Sequence, residues 1–201
     1  MAWLVTGGAG YIGSHVVRLL QERGDSVIVA DDMTAGIEAR LDGAELLQLD
    51  LAAPDAKGIL AQTFTDSEVD AVIHFAGLKA VGESVAEPLK YFDNNVSGSV
   101  VLFEEMARAG VKTLVFSSSA TVYGDPGVVQ YTEDLPLKPV NVYGRTKLMV
   151  EDVLRDLKHA DSSWRIVLLR YFNPVGAHVS GMIGEDPSGL PNNLMPFVAQ
   201  V

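Results

Sequence analysis

The chain has 201 residues, of which 48% are apolar, so it can bury the core of a globular domain. Its net charge of −11, from 15 basic and 26 acidic residues, argues against nucleic acid or an anionic membrane surface as a partner. Cysteine is absent, which excludes disulfides and thiolate metal sites. With no basic signal-peptide start and no apolar run long enough to cross a bilayer, we expect a cytoplasmic protein.

Six short apolar runs, separated by longer helix-like stretches, predict the architecture. Each run is apolar on both faces, as in a parallel sheet that helices cover on both sides. The runs are residues 4–6, 27–30, 46–49, 71–75, 114–116 and 166–169. The pattern predicts an α/β fold with a doubly wound parallel sheet, the Rossmann architecture, in which ligands bind beyond the carboxyl ends of the strands.

A glycine-rich turn follows the first predicted strand and opens a helix that is expected to span residues 13–22. Gly7, Gly10 and Gly13 have the G-x-x-G-x-x-G spacing that lets the backbone approach a pyrophosphate at a helix N-terminus. Alone, such a turn is equally typical of an ordinary strand-to-helix connection. The second strand, however, ends in Asp31, whose carboxylate can bind a ribose diol and disfavours a 2′-phosphate. The sequence therefore predicts NAD, rather than NADP, as the cofactor.

Tyr143 and Lys147 are four residues apart in a predicted helix of residues 143–157, so they share one helix face. A phenol needs a pKa shift of about 3 units, roughly 4 kcal/mol, to act as a base near neutral pH, and a nearby ammonium favours the phenolate. Such a pair suits removal of a hydroxyl proton while the same carbon is oxidised. Ser119, the last of three serines after the fifth strand, is placed to hydrogen-bond a substrate oxygen. The alternatives are an amphipathic tyrosine on a surface helix and serines that only cap a strand end.

The last residues of the chain are predicted to form a further helix. Pro191 and Asn192 are typical of a helix start. An apolar stripe at helical spacing follows, in Leu194, Phe197, Val198 and Val201. No C-cap glycine or basic last turn closes this helix, which favours a chain cut short before a longer segment. We expect a dinucleotide-binding domain at 1–173 and the incomplete beginning of a substrate-binding domain at 174–201.

The glycine turn, the serine and the tyrosine–lysine pair occur in the same order as in the extended short-chain dehydrogenase/reductase family, which the chain resembles over nearly its whole length. Within that family it is most similar to the enzymes that epimerise UDP-hexoses at C4. The segments that carry the resemblance are 7–15, 74–84, 93–96, 117–124, 143–147, 169–177, 184–187 and 191–196. The segments 74–84 and 169–177 are more specific than the general fingerprints of the family.

The resemblance implies NAD-dependent conversion of UDP-glucose and UDP-galactose through a 4-keto sugar. Tyr143 is expected to take the proton of the 4-hydroxyl, with its pKa lowered by Lys147 and the transfer assisted by Ser119. The implied cofactor contacts are Gly7, Gly10, Tyr11, Ile12, Gly13, Asp31, Asp50, Leu51, Phe75, Ala76, Gly77, Lys79, Asn94, Tyr143, Lys147 and Tyr171. The implied substrate contacts are Ser119, Thr121, Tyr143, Asn173, Asn193 and Leu194. Simple core packing is the alternative for Ile12, Leu51 and Phe75, whereas Lys79 offers a cation to a pyrophosphate.

Other functions remain open beside this one. One is a different nucleotide-sugar reaction of the same family, such as decarboxylation or another epimerisation. A dehydratase is disfavoured because Val122 and Tyr123, rather than an acidic pair, follow Thr121. The other is a NAD-binding module without catalysis, which would not require Ser119 and the tyrosine–lysine pair.

The resemblance also implies a homodimer. Its interface is expected to use two helices, one with Leu148, Met149, Asp152 and Val153, and one with Leu102, Phe103 and Met106. The alternative is that both helices only cover the sheet. No metal is predicted, because His15, His159 and His178 lack carboxylate or cysteine partners at ligand spacing, and His74 is interpreted as a hydrogen-bonded strand residue.

Overall fold

The computed structural model describes residues 1–187 and 194–199, and its centre is a six-stranded parallel sheet. The strands are β1 (Ala2–Thr6), β2 (Ser26–Asp31), β3 (Glu45–Gln48), β4 (Ala71–His74), β5 (Thr113–Ser119) and β6 (Arg165–Tyr171). Their order in the sheet is β3-β2-β1-β4-β5-β6, so the direction of winding reverses between β1 and β4. All six predicted strands are confirmed, and so is the doubly wound α/β fold.

Seven α-helices of the described residues connect or follow these strands. They are α1 (Tyr11–Glu22), α2 (Ala56–Asp66), α3 (Val81–Ala86), α4 (Pro88–Phe92), α5 (Gly98–Ala109), α6 (Val142–Ala160) and α7 (Leu194–Ala199). A short π-helical segment, Asp93–Ser97, joins α4 to α5. The helices predicted at 13–22 and 143–157 are confirmed as α1 and α6, each slightly longer than expected. None of the described helices is long and apolar enough to span a membrane.

The core consists of two apolar clusters, one on each face of the sheet. Successive residues of a strand point to opposite faces, so Leu4 lies in one cluster and Val5 in the other. The first cluster packs against α2, α5 and α6, and the second packs against α1. Burial on both faces explains why the central strands are continuous apolar runs rather than alternating ones.

The edge strand β6 departs from this pattern. The side chains of Val167 and Leu169 are 50% and 37% exposed, although the sequence led us to expect cover on both faces. On that face the packed helix of the described chain is α1, which contacts β1 and β2 and does not extend to β6. The expectation of a two-sided cover is therefore wrong for β6.

The two helices expected at a dimer interface are differently exposed. Leu102, Phe103 and Met106 are at most 3% exposed and lie in the core, so these three side chains are not available to a dimer interface, and the participation of their helix stays a prediction. The packing that buries them is the apolar face of α5 against the sheet and α2. On α6, by contrast, Met149 is 48% exposed and Asp152 is also exposed, while Leu148 and Val153 are partly buried.

The C-terminal part is described only in pieces. After Tyr171 the chain forms turns and bends up to Pro187, without a helix or strand. Leu194, Phe197 and Val198 of the predicted stripe lie on α7 and are exposed. The predicted helix start at Pro191 and Asn192, and Val201, lie outside the described residues. The division at 173 and 174 stays a prediction.

Candidate active site

The glycine turn lies at the carboxyl edge of the sheet, between β1 and α1. Gly7 has a φ of +68°, and a Cβ there would lie 2.6 Å from the backbone nitrogen of Ala76. A Cβ on Gly13 would lie 2.2 Å from the carbonyl oxygen of Gly7, so only glycine fits at either position. The turn is thus held close to both α1 and the loop after β4.

The N-terminus of α1 has backbone N–H donors that no described residue uses. Gly10 is the N-cap residue, and its extended backbone provides no side-chain cap. In the described part of the chain, no acceptor bonds to the N–H groups of Tyr11 or Ile12. Unpaired N–H groups and the positive end of the helix dipole together suit an anion such as a pyrophosphate.

Asp31 lies at the end of β2 beside this turn and is only 6% exposed. Its Oδ2 accepts a hydrogen bond from the N–H of Ala9 at 3.0 Å, and its Oδ1 accepts one from Met33 at 3.0 Å. Burial raises the pKa of Asp31, and these two bonds oppose the shift. Because each carboxylate oxygen can accept a second bond, Asp31 is still able to bind a ribose diol.

The loops after β3 and β4 line the same edge. Asp50 is exposed and its Oδ1 accepts a bond from Ala52. Leu51 is buried in the core, whereas Phe75 and Ala76 are partly buried. For the side chain of Leu51, the alternative of simple core packing is therefore confirmed. Ile12 and Gly77 also lie at this edge, and Gly77 has a φ of +148°.

Lys79 has a partner from the C-terminal segment. Its Nζ lies 3.7 Å from Oε1 of Glu185, although the lysine side chain remains 73% exposed. Nearby, the hydroxyl of Tyr11 donates to the carbonyl oxygen of Gly176 at 2.6 Å. Burial and the charge of Glu185 raise the pKa of Tyr11. The segment after β6 thus contacts both the start of α1 and the loop after β4.

Asn95 ties the cofactor side of the site to α6. Its Oδ1 accepts from the N–H of Leu78 at 2.8 Å, and its Nδ2 donates to the carbonyl of Leu78 at 3.0 Å and to Oγ1 of Thr146 at 3.1 Å. Asn94, the predicted contact, accepts only a longer bond from Leu78, at 3.3 Å. Asn95 was not singled out from the sequence, where its place in the polar segment 93–96 was the available signal.

The three catalytic candidates, Ser119, Tyr143 and Lys147, lie together at the carboxyl end of β5 and the start of α6. Nζ of Lys147 lies 6.0 Å from the ring centroid of Tyr143 and donates to the carbonyl of Ser117 at 3.0 Å. Lys147 is 5% exposed, and burial lowers its pKa to about 8. Burial raises the pKa of Tyr143, and the Ser119 side chain opposes this shift. The expected lowering by Lys147 is not found, because the ammonium bonds to a backbone carbonyl rather than to the phenol.

The proton of the Ser119 hydroxyl is free to be donated. Both the N–H and the Oγ1–H of Thr121 donate to the Ser119 oxygen, at 3.2 Å and 2.9 Å. These two bonds occupy the oxygen as an acceptor, so its own O–H points elsewhere. The Tyr143 phenol is the neighbour that this hydroxyl stabilises as phenolate. Ser118, in contrast, donates to Glu151 rather than to backbone, so the capping alternative is wrong for that serine.

The remaining predicted contacts lie at the end of β6 or after it. Tyr171 pairs in register with Ser119 across β5 and β6, and burial raises its pKa. Asn173 is exposed two residues later, and Leu194 is 74% exposed on α7. Asn193 lies outside the described residues. Within residues 1–187 and 194–199, no group of three histidine, aspartate or glutamate side chains is arranged to bind a metal.

This arrangement has clear relatives among known proteins. The model of the NAD dependent epimerase/dehydratase family matches residues 3–200. The chain belongs to this family. It is 56% identical to a UDP-glucose 4-epimerase of Neisseria meningitidis serogroup A, over 98% of this chain and 60% of that protein. It is 55% identical to a UDP-glucose 4-epimerase of Bacillus subtilis, over 100% of this chain and 61% of that protein. The chain thus spans about 60% of the length of these relatives of the epimerase/dehydratase family.

Solved structures of the epimerase/dehydratase family agree with the fold. A UDP-glucose-4-epimerase of Stenotrophomonas maltophila, with bound NAD and formylated UDP-arabinopyranose, superposes with a TM-score of 0.95 at 45% identity. All of this chain and 61% of that one are covered. A UDP-glucose 4-epimerase of Bifidobacterium longum, in complex with NAD+ and UDP, gives 0.93 at 45% identity and covers 100% of this chain and 62% of that one.

Proposed function

We propose that this chain binds NAD and carries the catalytic residues for epimerisation of a UDP-hexose at C4. The observation that carries the proposal is the meeting of Ser119, Tyr143 and Lys147 at the sheet edge that also holds the glycine turn. The similarity to UDP-glucose 4-epimerases, and the NAD and the UDP or UDP-sugar bound in two similar structures, support the same chemistry.

The residues at the sheet edge fit a dinucleotide. The backbone N–H groups of Tyr11 and Ile12 would hold the pyrophosphate against the glycine turn, and Asp31 would hold the adenosine ribose. Lys79 would add a cation beside the phosphates, in exchange for its contact with Glu185. When bound, NAD supplies the oxidation of the C4 carbon and its later reduction.

The side chains of this chain would handle the proton. Tyr143 takes the proton of the 4-hydroxyl as C4 is oxidised to a ketone, and it returns the proton when the ketone is reduced on its other face. Ser119 donates its free hydroxyl proton to the phenolate or the sugar oxygen, and Lys147 adds positive charge nearby. Because burial alone raises the pKa of Tyr143, the base depends on these groups and on the positive nicotinamide ring. Thr121 and Asn173, with Asn193 and Leu194, are the proposed sugar-side contacts.

The substitution Tyr143→Phe tests this assignment. The purified chain is denatured and any released dinucleotide is identified by mass, and turnover of UDP-galactose is measured on the folded chain. We expect Tyr143→Phe to keep the dinucleotide and to lose about 10²-fold or more in turnover, since a positioned acid–base group contributes at least that much. Tyr131→Phe, on a loop tyrosine, is the matched control and should leave both unchanged.

A second readout does not depend on turnover. The near-ultraviolet spectrum of the wild type minus that of Tyr143→Phe isolates the ionisation of this one phenol as the pH rises. The midpoint of that titration should be lower with NAD bound than after the NAD has been removed, because a positive ring next to the phenol favours phenolate. Unchanged turnover in Tyr143→Phe, or a titration that is insensitive to NAD, would contradict the assignment. A chain that keeps NAD, but in which Tyr143 neither affects turnover nor titrates differently with NAD, would be a binding module.

We also propose that the chain is cytoplasmic and forms a homodimer. Exposed apolar side chains on α3, α4 and α6 support the dimer: Val85 is 63% exposed, Leu89 82% and Met149 48%. These helices pack against one another, so their outer surfaces adjoin. Apolar side chains on adjoining helices are typical of helical dimer interfaces.

A further inference from the structure

Three consecutive turns of α6 are fixed to the three serines that end β5. Tyr143 interacts with the Ser119 side chain, and Lys147 donates to the Ser117 carbonyl at 3.0 Å. One turn further, Glu151 accepts from the Ser118 hydroxyl at 2.5 Å. Positions 143, 147 and 151 lie on one face of the helix because they are four residues apart. The face that carries the catalytic pair therefore continues into Glu151, which the sequence analysis did not single out.

Glu151 is a fully buried carboxylate whose acceptor sites are all occupied. Its relative exposure is 0%. Oε1 accepts from Ser118 and, at 3.0 Å, from Nε of Arg170, and Oε2 accepts from Arg170 at 2.8 Å and from Arg155 at 2.5 Å. Burial by itself raises the pKa of Glu151, but the bonds from Arg170 and Ser118 outweigh it and lower the pKa. The carboxylate is therefore charged and held in one orientation.

Arg170 connects this carboxylate to the substrate side of the site. It lies on β6 in register with Ser118 of β5. One of its nitrogens donates to the hydroxyl of Tyr123 at 2.8 Å, and its guanidinium lies 4.9 Å from the centroid of that ring. Tyr123 belongs to the short turn after β5 that also contains Thr121. One bidentate ion pair thus joins α6, β5, β6 and the turn that bonds to Ser119.

The geometry points to Glu151 and Arg170 as a positioning pair that fixes α6 along β5, so that the Tyr143 phenol stays against the Ser119 hydroxyl. Neither side chain is itself a catalytic residue. This inference rests on the proposed function. One residue of helix rises 1.5 Å, and a displacement of about 1 Å at reacting groups can reduce a rate by about 10²-fold. Stability alone does not require the pair, since well-packed apolar residues often replace a buried ion pair without loss.

The decisive variant is the double substitution Glu151→Leu with Arg170→Met, which removes both charges and leaves no buried ion unpaired. Glu151→Gln alone leaves Arg170, only 13% exposed, without its carboxylate, and should unfold more easily than the double variant. Glu104→Gln is the matched control, because Glu104 forms an exposed ion pair with Lys57 at 2.5 Å, remote from these serines. Each variant is prepared as the full 201-residue chain.

Four quantities are measured: the unfolding midpoint, the retained dinucleotide, the midpoint of the Tyr143 titration, and KM and kcat. We expect the double variant to fold and keep NAD, with the Tyr143 midpoint raised by about one unit because the contribution of Ser119 is weakened. We expect kcat to fall about tenfold or more while KM changes little. Glu104→Gln should change neither the titration nor the kinetics.

A folded double variant with the titration and kcat of the wild type would overturn the inference and leave the pair a purely structural one. If the double variant does not fold, Ser118→Ala decides, because it removes only the bond between β5 and Glu151 and keeps both arginine contacts. It should raise the Tyr143 midpoint in the same direction, by less, and an unchanged midpoint would overturn the inference. If the proposed function itself fails, Tyr143→Phe will also leave turnover unchanged, so the two failures can be distinguished.

Discussion

The imidazole of His74 lies in the core between hydroxyl groups of two different elements. Oγ1 of Thr6 is 2.6 Å from its Nδ1, and Oγ of Ser99 is 2.8 Å from its Nε2. Since the Ser99 hydroxyl donates to the Asn95 carbonyl at 2.5 Å, its oxygen accepts from Nε2–H. Thr6 must then donate to Nδ1, which makes the ring a neutral Nε2–H tautomer. The prediction of a hydrogen-bonded strand residue is thereby confirmed.

His74 should make the stability of the fold dependent on acid pH. Burial, with a smaller contribution from Lys147, lowers its pKa to about 3. Between about pH 6.5 and pH 3 the unfolded chain binds a proton at His74 that the folded chain does not, so the free energy of unfolding falls as the pH falls. At pH 4.5 this loss is about 3 kcal/mol. His74→Gln should remove that share of the slope in urea unfolding measured from pH 7 to pH 4.5.

The comparison needs an exposed histidine as control. His159 lies in the last turn of α6 and is exposed, so His159→Gln should leave the slope of the wild type intact. Carboxylates that titrate in the same range contribute equally to all three proteins and cancel in the difference. Equal slopes for the wild type and His74→Gln would show that this imidazole is not held neutral.

At the scale of elements, the sequence predicted the strands and missed the shortest helices. All six strands were found, because each is an apolar run bounded by polar or small residues. The short helices α3 and α4 and the π-helical segment after them were not, since none is long enough to have an apolar period and Pro88 separates the first two. The exposed face of β6 was also missed, because composition does not tell which helix covers which strand.

The same limit applies to the site. The glycine turn and the pair of Tyr143 and Lys147 were predictable because their chemistry is set by spacing within one segment. Asn95 and Glu151 were not, since they bond to residues 17 to 51 positions away and their roles exist only once β4, β5, β6 and α6 have packed. The burial that raises the pKa of Tyr143 and the bond of Lys147 to Ser117 were not predictable either, because both follow from tertiary packing.

The turn between β1 and α1 can be tested by adding one methyl group. A Cβ on Gly13 would lie 2.2 Å from the Gly7 carbonyl oxygen, a backbone atom that cannot move without displacing the turn. We expect Gly13→Ala to cost about 1–3 kcal/mol of unfolding free energy and to weaken NAD binding at least tenfold. Calorimetric titration with NAD and urea unfolding measure the two effects.

Gly58 supplies the matched control for this substitution. It lies inside α2, where an added Cβ would meet no atom within 4 Å. Gly58→Ala should therefore raise the free energy of unfolding by about 0.5–1 kcal/mol, as expected for alanine in a helix, and leave NAD binding unchanged. A Gly13→Ala protein that binds NAD as tightly as Gly58→Ala would mean that the cofactor does not lie over this turn.

At the scale of the whole molecule, net charge and exposed apolar surface act against each other. Two chains that each carry a charge of −11 repel one another. The apolar side chains of Val85, Leu89 and Met149, on neighbouring helices, favour association. Salt screens the repulsion but leaves the apolar contribution in place. The proposed dimer should accordingly tighten as ionic strength rises, whereas a dimer held by ion pairs would loosen.

Light scattering at micromolar concentration, with and without added salt, measures this balance. The wild type should have twice the mass of one chain, and the fraction of dimer should increase at high salt. The double variant Leu89→Glu with Met149→Glu places two charges on the apolar surface of α4 and α6 and should be a monomer, because burying unpaired carboxylates is costly. Leu19→Glu is the matched control, since Leu19 is 59% exposed on α1, against the opposite face of the sheet. If Leu19→Glu dissociates the dimer and the double variant does not, the chains associate through the layer of α1 instead.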